Sequence, residues 1–181
     1  MMLSEKDGKL FYELWFPLLD YVNEKCKVNK RVKNITNIKS LNPKEIKEIA
    51  NVLWENVTLI DRYLEERGEN LAEEHKAIIA GWKRRVQGNF IMERHLKKGT
   101  IFISEDEKVY QVSGIISSWE EMFFGAPLPL FMKATFIPFR DVIISDGLVI
   151  PYNIAIGTNM KKQFQNVYMN VKKNGVVIRS L

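Results

Sequence analysis

The sequence predicts an α+β fold: an N-terminal helical layer packed on a small, mostly antiparallel sheet or partly closed barrel, with a late helix covering the sheet. Apolar residues recur at three- and four-residue steps up to residue 87, whereas short runs rich in β-branched and aromatic residues follow from residue 88. In segment 134–157, three apolar runs are separated by turn signals at 138–141 and at 145–147. The second signal is Ser-Asp-Gly, which suits a tight hairpin, so we expect a β-meander at the centre of the sheet.

Length and composition indicate one folded domain over residues 1–181. The chain has 181 residues, enough for one ample core and few for two independent domains. No apolar run approaches the roughly 20 residues that span a bilayer, so no membrane partner is expected. The N-terminus has no secretion signal, and the single cysteine, Cys26, cannot form an internal disulfide. Together these features favour the reducing cytoplasm.

The first predicted helix covers residues 9–25, where apolar side chains follow the spacing of one helix face. Pro17 lies inside this segment and removes a backbone donor, so we expect a kink or a restart of the helix there. Residues 25–41 have weak periodicity and many Asn and Lys residues. They are typical of a long exposed connection.

The next helices begin at a clear capping signal. Asn42 suits the N-cap and Pro43 suits the first helical position. The apolar stripe that follows predicts one helix up to Arg67, stopped by Gly68. A similar stripe predicts a further helix over residues 70–86, so the N-terminal half, 1–87, is helical.

The C-terminal half, 88–181, is predicted to be β-rich. In the segment 117–124, Ser117 and Ser118 each stand three residues before a glutamate, which is typical of a capping box at a short helical turn. A late helix is predicted over about 158–173, followed by a last strand at 176–178. The strands predicted before the meander are 89–96, 100–104 and 108–113.

Three blocks of this half are similar to a known group of proteins. They are FIMERHLKKGTIFI (90–103), KVYQVSGIISSWEEMF (108–123) and IPFRDVIISDGL (137–148). With these blocks the chain resembles a family of uncharacterised bacterial proteins, and the resemblance covers most of the chain after about residue 80. It implies that the β-rich half is one recurring unit in bacterial proteins. It brings no activity, cofactor or catalytic residue.

The catalytic candidates are Arg140, Asp141, Asp146 and His95. Two carboxylates and an arginine suit a cation or acid–base site, and the positive neighbours of His95 favour its neutral form. The alternative, which we favour, is that residues 140–146 complete turns and that His95 is a strand residue. The chain has no zinc-ligand spacing, phosphate-binding loop or hydrolase nucleophile motif, so no metal or cofactor is predicted and we lean away from an enzyme.

Positive charge is concentrated locally rather than in one half of the chain. Residues 1–86 carry 16 Lys and Arg against 14 acids, and residues 87–181 carry 11 against 8. The local excess lies in segments 25–39 and 83–85, which suit contact with nucleic-acid phosphates or, as the favoured alternative, a solvated surface. The residues concerned are Lys27, Lys30, Arg31, Lys33, Lys83, Arg84 and Arg85.

Phe11, Tyr12, Trp15 and Phe16 occupy two sides of the first helix, which is more than one packed face requires. We therefore expect part of this surface to contact a protein partner or another copy of the chain. The favoured function is a cytoplasmic, non-catalytic protein-binding or assembly protein. The alternatives are nucleic-acid contact and an enzyme with a polar site near residues 140–146.

Overall fold

The computed structural model describes residues 1–32, 34–35 and 42–181. The predicted α+β class is confirmed: N-terminal helices precede a sheet, and a helix follows it. The described residues form two compact units, one of residues 7–83 and one of residues 1–6 with 84–181. We call them the helical unit and the barrel unit. The interpretation as a single domain stays a prediction.

The helical unit is built around stacked aromatic rings. Trp15 stacks on Trp54 with ring centroids 5.4 Å apart, and the edge of Trp82 meets Trp15 at 5.5 Å. All three are buried. Its helices are α1 (Glu5–Cys26), which begins in the barrel unit, α2 (Pro43–Glu55), α3 (Thr58–Arg67) and α4 (Glu73–Gly81), followed by a 3-10 turn at Trp82–Arg84. Helix α1 runs continuously through Pro17, so the predicted restart does not occur.

The single helix predicted from Pro43 to Arg67 is wrong, because the chain breaks after α2. Asn56 closes α2 through its backbone N–H, and its side-chain oxygen accepts a hydrogen bond from the Thr58 hydroxyl at 2.6 Å. Asparagine competes for such local bonds, so it ends a helix that apolar spacing alone would continue. The helix predicted over 70–86 is also shorter, since α4 ends at Gly81.

The predicted cap at Asn42 is confirmed: its side chain accepts a hydrogen bond from the backbone N–H of Lys44 at 3.0 Å. Part of the predicted exposed connection, residues 33 and 36–41, lies outside the described residues. In the described part, Val32 and Ile35 are buried, and the side chain of Asn23 bonds the carbonyl of Val32 at 2.8 Å. The described part of this connection is therefore packed against α1 rather than wholly exposed.

The barrel unit contains six strands and two helices after residue 84, all within the described part of the chain. They are β1 (Val86–Leu96), β2 (Gly99–Ser104), β3 (Val109–Val112), α5 (Trp119–Met122), β4 (Leu130–Phe139), β5 (Val142–Ser145), β6 (Ile150–Pro151) and α6 (Thr158–Lys173). Strands pair in the order β1-β2-β3-β5-β4, and β4 pairs back with β1. The ring is closed, and only the β3–β5 pair is parallel. A five-stranded Greek-key barrel of this kind is the architecture of the OB-fold.

The predicted meander is wrong in its second turn. Strand β6 does not form a hairpin with β5; it pairs with β4, two residues out of step with the β4–β5 register. Strands β5 and β6 therefore follow the same edge of β4 and are separated by a bulge at 146–149. The other edge of β5 is already paired with β3, which leaves no edge for a hairpin. Pro138, predicted in the first turn, lies inside β4 opposite Ile143.

Strand alternation divides the barrel residues into an inner and an outer set. The inner cluster is closed by Trp119 of α5, whose indole N–H donates to the carbonyl of Ser113 at 3.2 Å. The outer cluster contains Ile91, Ile101, Ile103 and Val109, packed against Tyr168 of α6. Helix α6 therefore covers the outside of β1, β2 and β3.

The end of the chain differs from its prediction in one respect. The late helix has the predicted bounds, and Gly175 follows it with a φ of 71°. The predicted strand at 176–178 is reduced to a single bridge between Ile178 and Tyr110. Among the described residues, no helix has the length and apolar character needed to cross a bilayer.

Candidate functional site

A cleft of about 400 Å³ lies between the outer barrel wall and α6. We call it the α6 cleft. Its floor is formed by outward-facing strand residues, its side by the segment before α6, and its roof by the first half of α6. The apolar lining residues are Phe90, Ile91, Ile103, Phe131, Ile154, Ile156, Met160, Phe164 and Val167. This volume and apolar lining are typical of ligand pockets.

Helix α6 is anchored at its middle and open near its start. Tyr168 is 3% exposed, and the guanidinium of Arg94 lies over its ring, 4.5 Å from the centroid. Arg94 is held in turn by the carboxylate of Glu93. Met160, two turns earlier on the same face, is 50% exposed. The apolar stripe of α6 thus packs closely at Tyr168 and lines an accessible cleft at Met160.

A chain of hydrogen bonds positions a carboxylate at the mouth of the cleft. The Tyr152 hydroxyl donates to the side-chain oxygen of Asn89 at 3.1 Å, and the Asn89 amide donates to Glu105 at 2.7 Å. The ring of Tyr152 stacks on Phe131, with centroids 4.9 Å apart. Both Asn89 and Glu105 line the cleft. The barrel wall therefore fixes where this negative charge lies.

The turn between β2 and β3 places further charge beside Glu105. Asp106 pairs with Lys108 at 2.8 Å and accepts a hydrogen bond from the Ser104 hydroxyl at 2.5 Å. The bond from Lys108, followed by that from Ser104, lowers the pKa of Asp106. Glu107, in a left-handed conformation with φ 59°, also lines the cleft and has no ion-pair partner among the described residues. The mouth is therefore negative at Glu105 and Glu107.

The four catalytic candidates are not gathered into one site. Arg140 and Asp141 form the exposed turn at the Phe139 end of β4, whereas His95 lies beyond Met92, which pairs with Leu130 at the other end. A strand of this length spans roughly 30 Å. Asp146 lies between these ends, is 1% exposed, and accepts a hydrogen bond from the backbone N–H of Leu148 at 2.9 Å. Its role is to hold the bulge after β5.

His95 is a half-buried strand residue. Its Nδ1 lies 2.9 Å from the hydroxyl of Thr100 on the paired strand. Burial lowers the pKa of His95, and the nearby carboxylate of Glu120 acts in the opposite direction. Within the described part of the chain, no group of three or more His, Cys, Asp or Glu side chains is placed to hold a metal ion.

The predicted basic residues are partly engaged within the protein. Lys83 pairs with Asp61 at 2.5 Å, and Arg84 donates to the carbonyl of Leu181 at 3.2 Å. Arg85 is half-buried, and Lys33 lies outside the described residues. The remaining three, Lys27, Lys30 and Arg31, are exposed after α1.

The predicted interface residues of α1 fall into two groups. Phe11 and Trp15 are buried and contribute to the core of the helical unit. Tyr12 and Phe16 are half-buried, with ring centroids 5.0 Å apart, and burial raises the pKa of Tyr12. The interface hypothesis therefore rests on Tyr12 and Phe16.

Comparison of the chain with models of known protein families, with curated proteins and with solved structures finds no match. The α6 cleft itself was not predicted from the sequence. The stripe with Met160, Phe164 and Val167 predicts a core-facing helix, and residues 105–107 predict only a turn. No short sequence motif marks the cleft, because its lining residues come from five separate segments of the barrel unit.

Proposed function

We propose that the protein is a non-catalytic binding protein whose α6 cleft holds an apolar side chain of a protein partner. The observation that carries this proposal is the cleft itself, with nine apolar lining residues and an open mouth. Exposed Ile154 and Met160 extend the apolar surface to the rim. A partner side chain that covers them would remove apolar area from water, at about 25 cal/mol per Å².

The charge at the mouth supports a partner with a basic residue beside the apolar one. Glu105 is held in place by Asn89, and Glu107 carries an unbalanced negative charge beside it. A lysine or arginine of the partner would pair with these carboxylates, which favours basic over acidic partners. The proposed occupant is therefore a segment with a large apolar residue flanked by basic residues.

The apolar character of this face favours a protein over an oligonucleotide. OB barrels bind oligonucleotides on the face formed by strands 2 and 3. Here the outward residues of that region, Ile101, Ile103 and Val109, are aliphatic and lie under α6. Single-stranded bases stack on exposed aromatic side chains while their backbone follows a positively charged groove, and these aliphatic residues supply neither feature. Fold alone does not decide function, so the side chains carry this argument.

The test compares two methionines of α6 that are equally accessible but lie on opposite sides. Met160 lines the cleft at 50% exposure, and Met169 lies on the outer side at 48%. The probe is a fluorescent leucine-rich peptide with lysine flanks, measured by anisotropy against the same peptide with glutamate flanks. We expect Met160→Ala to weaken binding of the lysine-flanked peptide about tenfold, through the loss of roughly 1.4 kcal/mol of apolar contact.

Met169→Ala is the matched control and is expected to bind as the unaltered protein does. Glu105→Gln with Glu107→Gln should remove the preference for lysine flanks, since the amides keep the size of the side chains without their charge. Equal effects of the two methionine substitutions, or equal binding of lysine- and glutamate-flanked peptides, would contradict the proposal.

The remaining alternatives have narrower support. Exposed Lys27, Lys30 and Arg31 support nucleic-acid contact as a second proposal, tested by binding that weakens steeply with added salt. An enzyme with a site near residues 140–146 has no gathered set of side chains to support it. A cytoplasmic location and membership of the bacterial family remain proposals, and the exposed thiol of Cys26 is consistent with a reducing compartment.

A further inference from the structure

We infer that the outer face of α6 is a DNA-binding surface, separate from the α6 cleft and from the basic segments near residues 25–39 and 83–85. The starting observation is a charge asymmetry at the end of the chain. Residues 147–181 contain five lysines and arginines and no acidic residue. This excess equals the net charge of +5 of the whole chain. Four of these charges lie on α6.

The four lysines of α6 form two pairs on one side of the helix. Lys161 and Lys162 lie near the start of the helix and Lys172 and Lys173 in its last turn, and all four are exposed. Residues eleven apart are separated by about 16.5 Å along a helix and by only about 20° around it. The two pairs can therefore contact phosphates on both sides of a major groove about 12 Å wide.

The residues between the lysine pairs have the chemistry that reads base edges. Gln165, Asn166 and Met169 are exposed and lie on the same side as the lysines. Glutamine and asparagine form paired hydrogen bonds with adenine, and an apolar group contacts the methyl group of thymine. This face thus combines phosphate contacts at its ends with amides at its centre, and the expected preference is for A·T base pairs.

The composition of this face favours DNA over an anionic membrane surface. A membrane-binding helix presents large apolar residues to the lipid. The apolar residues of α6, such as Phe164, Val167 and Val171, instead pack against the barrel, and Met169 is the exception among the described residues of the outer face. Tyr168 anchors the helix to the barrel, so the outer face is presented by a rigid support.

The experiment measures binding of the full chain to short A·T-rich and G·C-rich duplexes by fluorescence anisotropy. At about 50 mM NaCl we expect binding that falls with added salt with a log–log slope near −3.6, as for about four phosphate contacts. Alanine at Lys161, Lys162, Lys172 and Lys173 should weaken binding at least tenfold and flatten this slope. Gln165→Ala with Asn166→Ala should remove the A·T preference and keep the slope.

The matched control replaces four exposed lysines elsewhere, Lys6, Lys44, Lys97 and Lys98, with alanine and thus removes the same charge. It should retain most of the binding. A third variant, with alanine at Lys27, Lys30 and Arg31, distinguishes DNA binding at α6 from DNA binding at the basic segment after α1. The inference is overturned by no duplex binding at about 50 mM NaCl, by equal losses in the α6 and control variants, or by binding to phosphatidylserine vesicles but not to DNA.

Discussion

At the scale of single residues, backbone packing sets the sharpest constraints, and Gly114 is the clearest example. Its N–H donates to the carbonyl of Met1, and its carbonyl accepts from Leu3, both at 3.0 Å. A Cβ at this position would lie 1.9 Å from the carbonyl oxygen of Ser117, a backbone atom that cannot rotate away. Position 114, in the connection between β3 and α5, must therefore be glycine unless the backbone shifts.

We predict that Gly114→Ala lowers the free energy of unfolding by at least about 2 kcal/mol, measured by urea denaturation. Gly88→Ala is the control, because a Cβ there meets no atom within 4 Å. It should leave stability nearly unchanged or raise it slightly. A Gly114→Ala variant as stable as the Gly88→Ala variant would show that the backbone of Ser117 does not approach Gly114 as closely as described.

His95 gives a second prediction at this scale, on the pH dependence of stability. Burial lowers its pKa in the folded protein, so the unfolded chain binds this proton more tightly. The stability that neutral His95 contributes is therefore present above about pH 6.5 and is lost as the pH falls below that value. His95→Gln keeps a polar partner for Thr100 and removes the titration.

The measurement is the free energy of unfolding between about pH 5 and pH 7. The decrease on acidification should be smaller in His95→Gln than in the unaltered protein. Carboxylates with a lowered pKa, such as Asp106, lose their contribution to stability at lower pH, so they do not affect the comparison in this pH range. Identical pH profiles would contradict the buried position of His95.

At the scale of elements, local signals predicted most helices and strands, and contacts distant in sequence explain the failures. Asn42 and Ser118 each carry a cap that short-range chemistry specifies, and both caps form. The Asp146-Gly147 signal failed because the hairpin it predicts needs an edge of β5 that β3 already occupies. That occupancy depends on pairing between Val112 and Ile143, which no local pattern reveals.

Helix α6 is predicted to depend on one side chain for its attachment. Tyr168 is buried, whereas the other apolar residues of α6 are partly buried or exposed. We expect Tyr168→Ala to increase amide hydrogen exchange across residues 158–173 while β1 and β2 remain protected. The cost should be roughly 3 kcal/mol, as for other large aromatic residues. Met169→Ala, on the exposed side, is the control. Equal exchange in both variants would show that α6 is held elsewhere.

At the scale of the whole molecule, the fold class followed from the change in apolar spacing near residue 87, which depends only on the chain itself. The strands begin at Val86 and the helical unit ends at Lys83, close to that predicted boundary. The candidate site could not be predicted from this spacing. The α6 cleft exists because strands β1, β2 and β4 turn separate residues outward beneath α6, so it is a product of the closed barrel.

The two proposed surfaces divide the barrel unit by chemistry. The cleft side of α6 is apolar with carboxylates at its mouth, and the outer side carries lysines and amides. Basic partners suit the first surface, and anionic partners suit the second. The two surfaces are independent, so loss of peptide binding leaves the DNA inference standing, and the reverse also holds.

The most direct test of the central claim is where the lysine-flanked peptide binds. Methyl-labelled protein would be titrated with this peptide and followed by NMR. We predict chemical-shift changes concentrated at Ile91, Ile103, Ile154 and Ile156, which line the α6 cleft. Shift changes at exposed Ile116, with those four isoleucines unaffected, would place the peptide elsewhere and contradict the account.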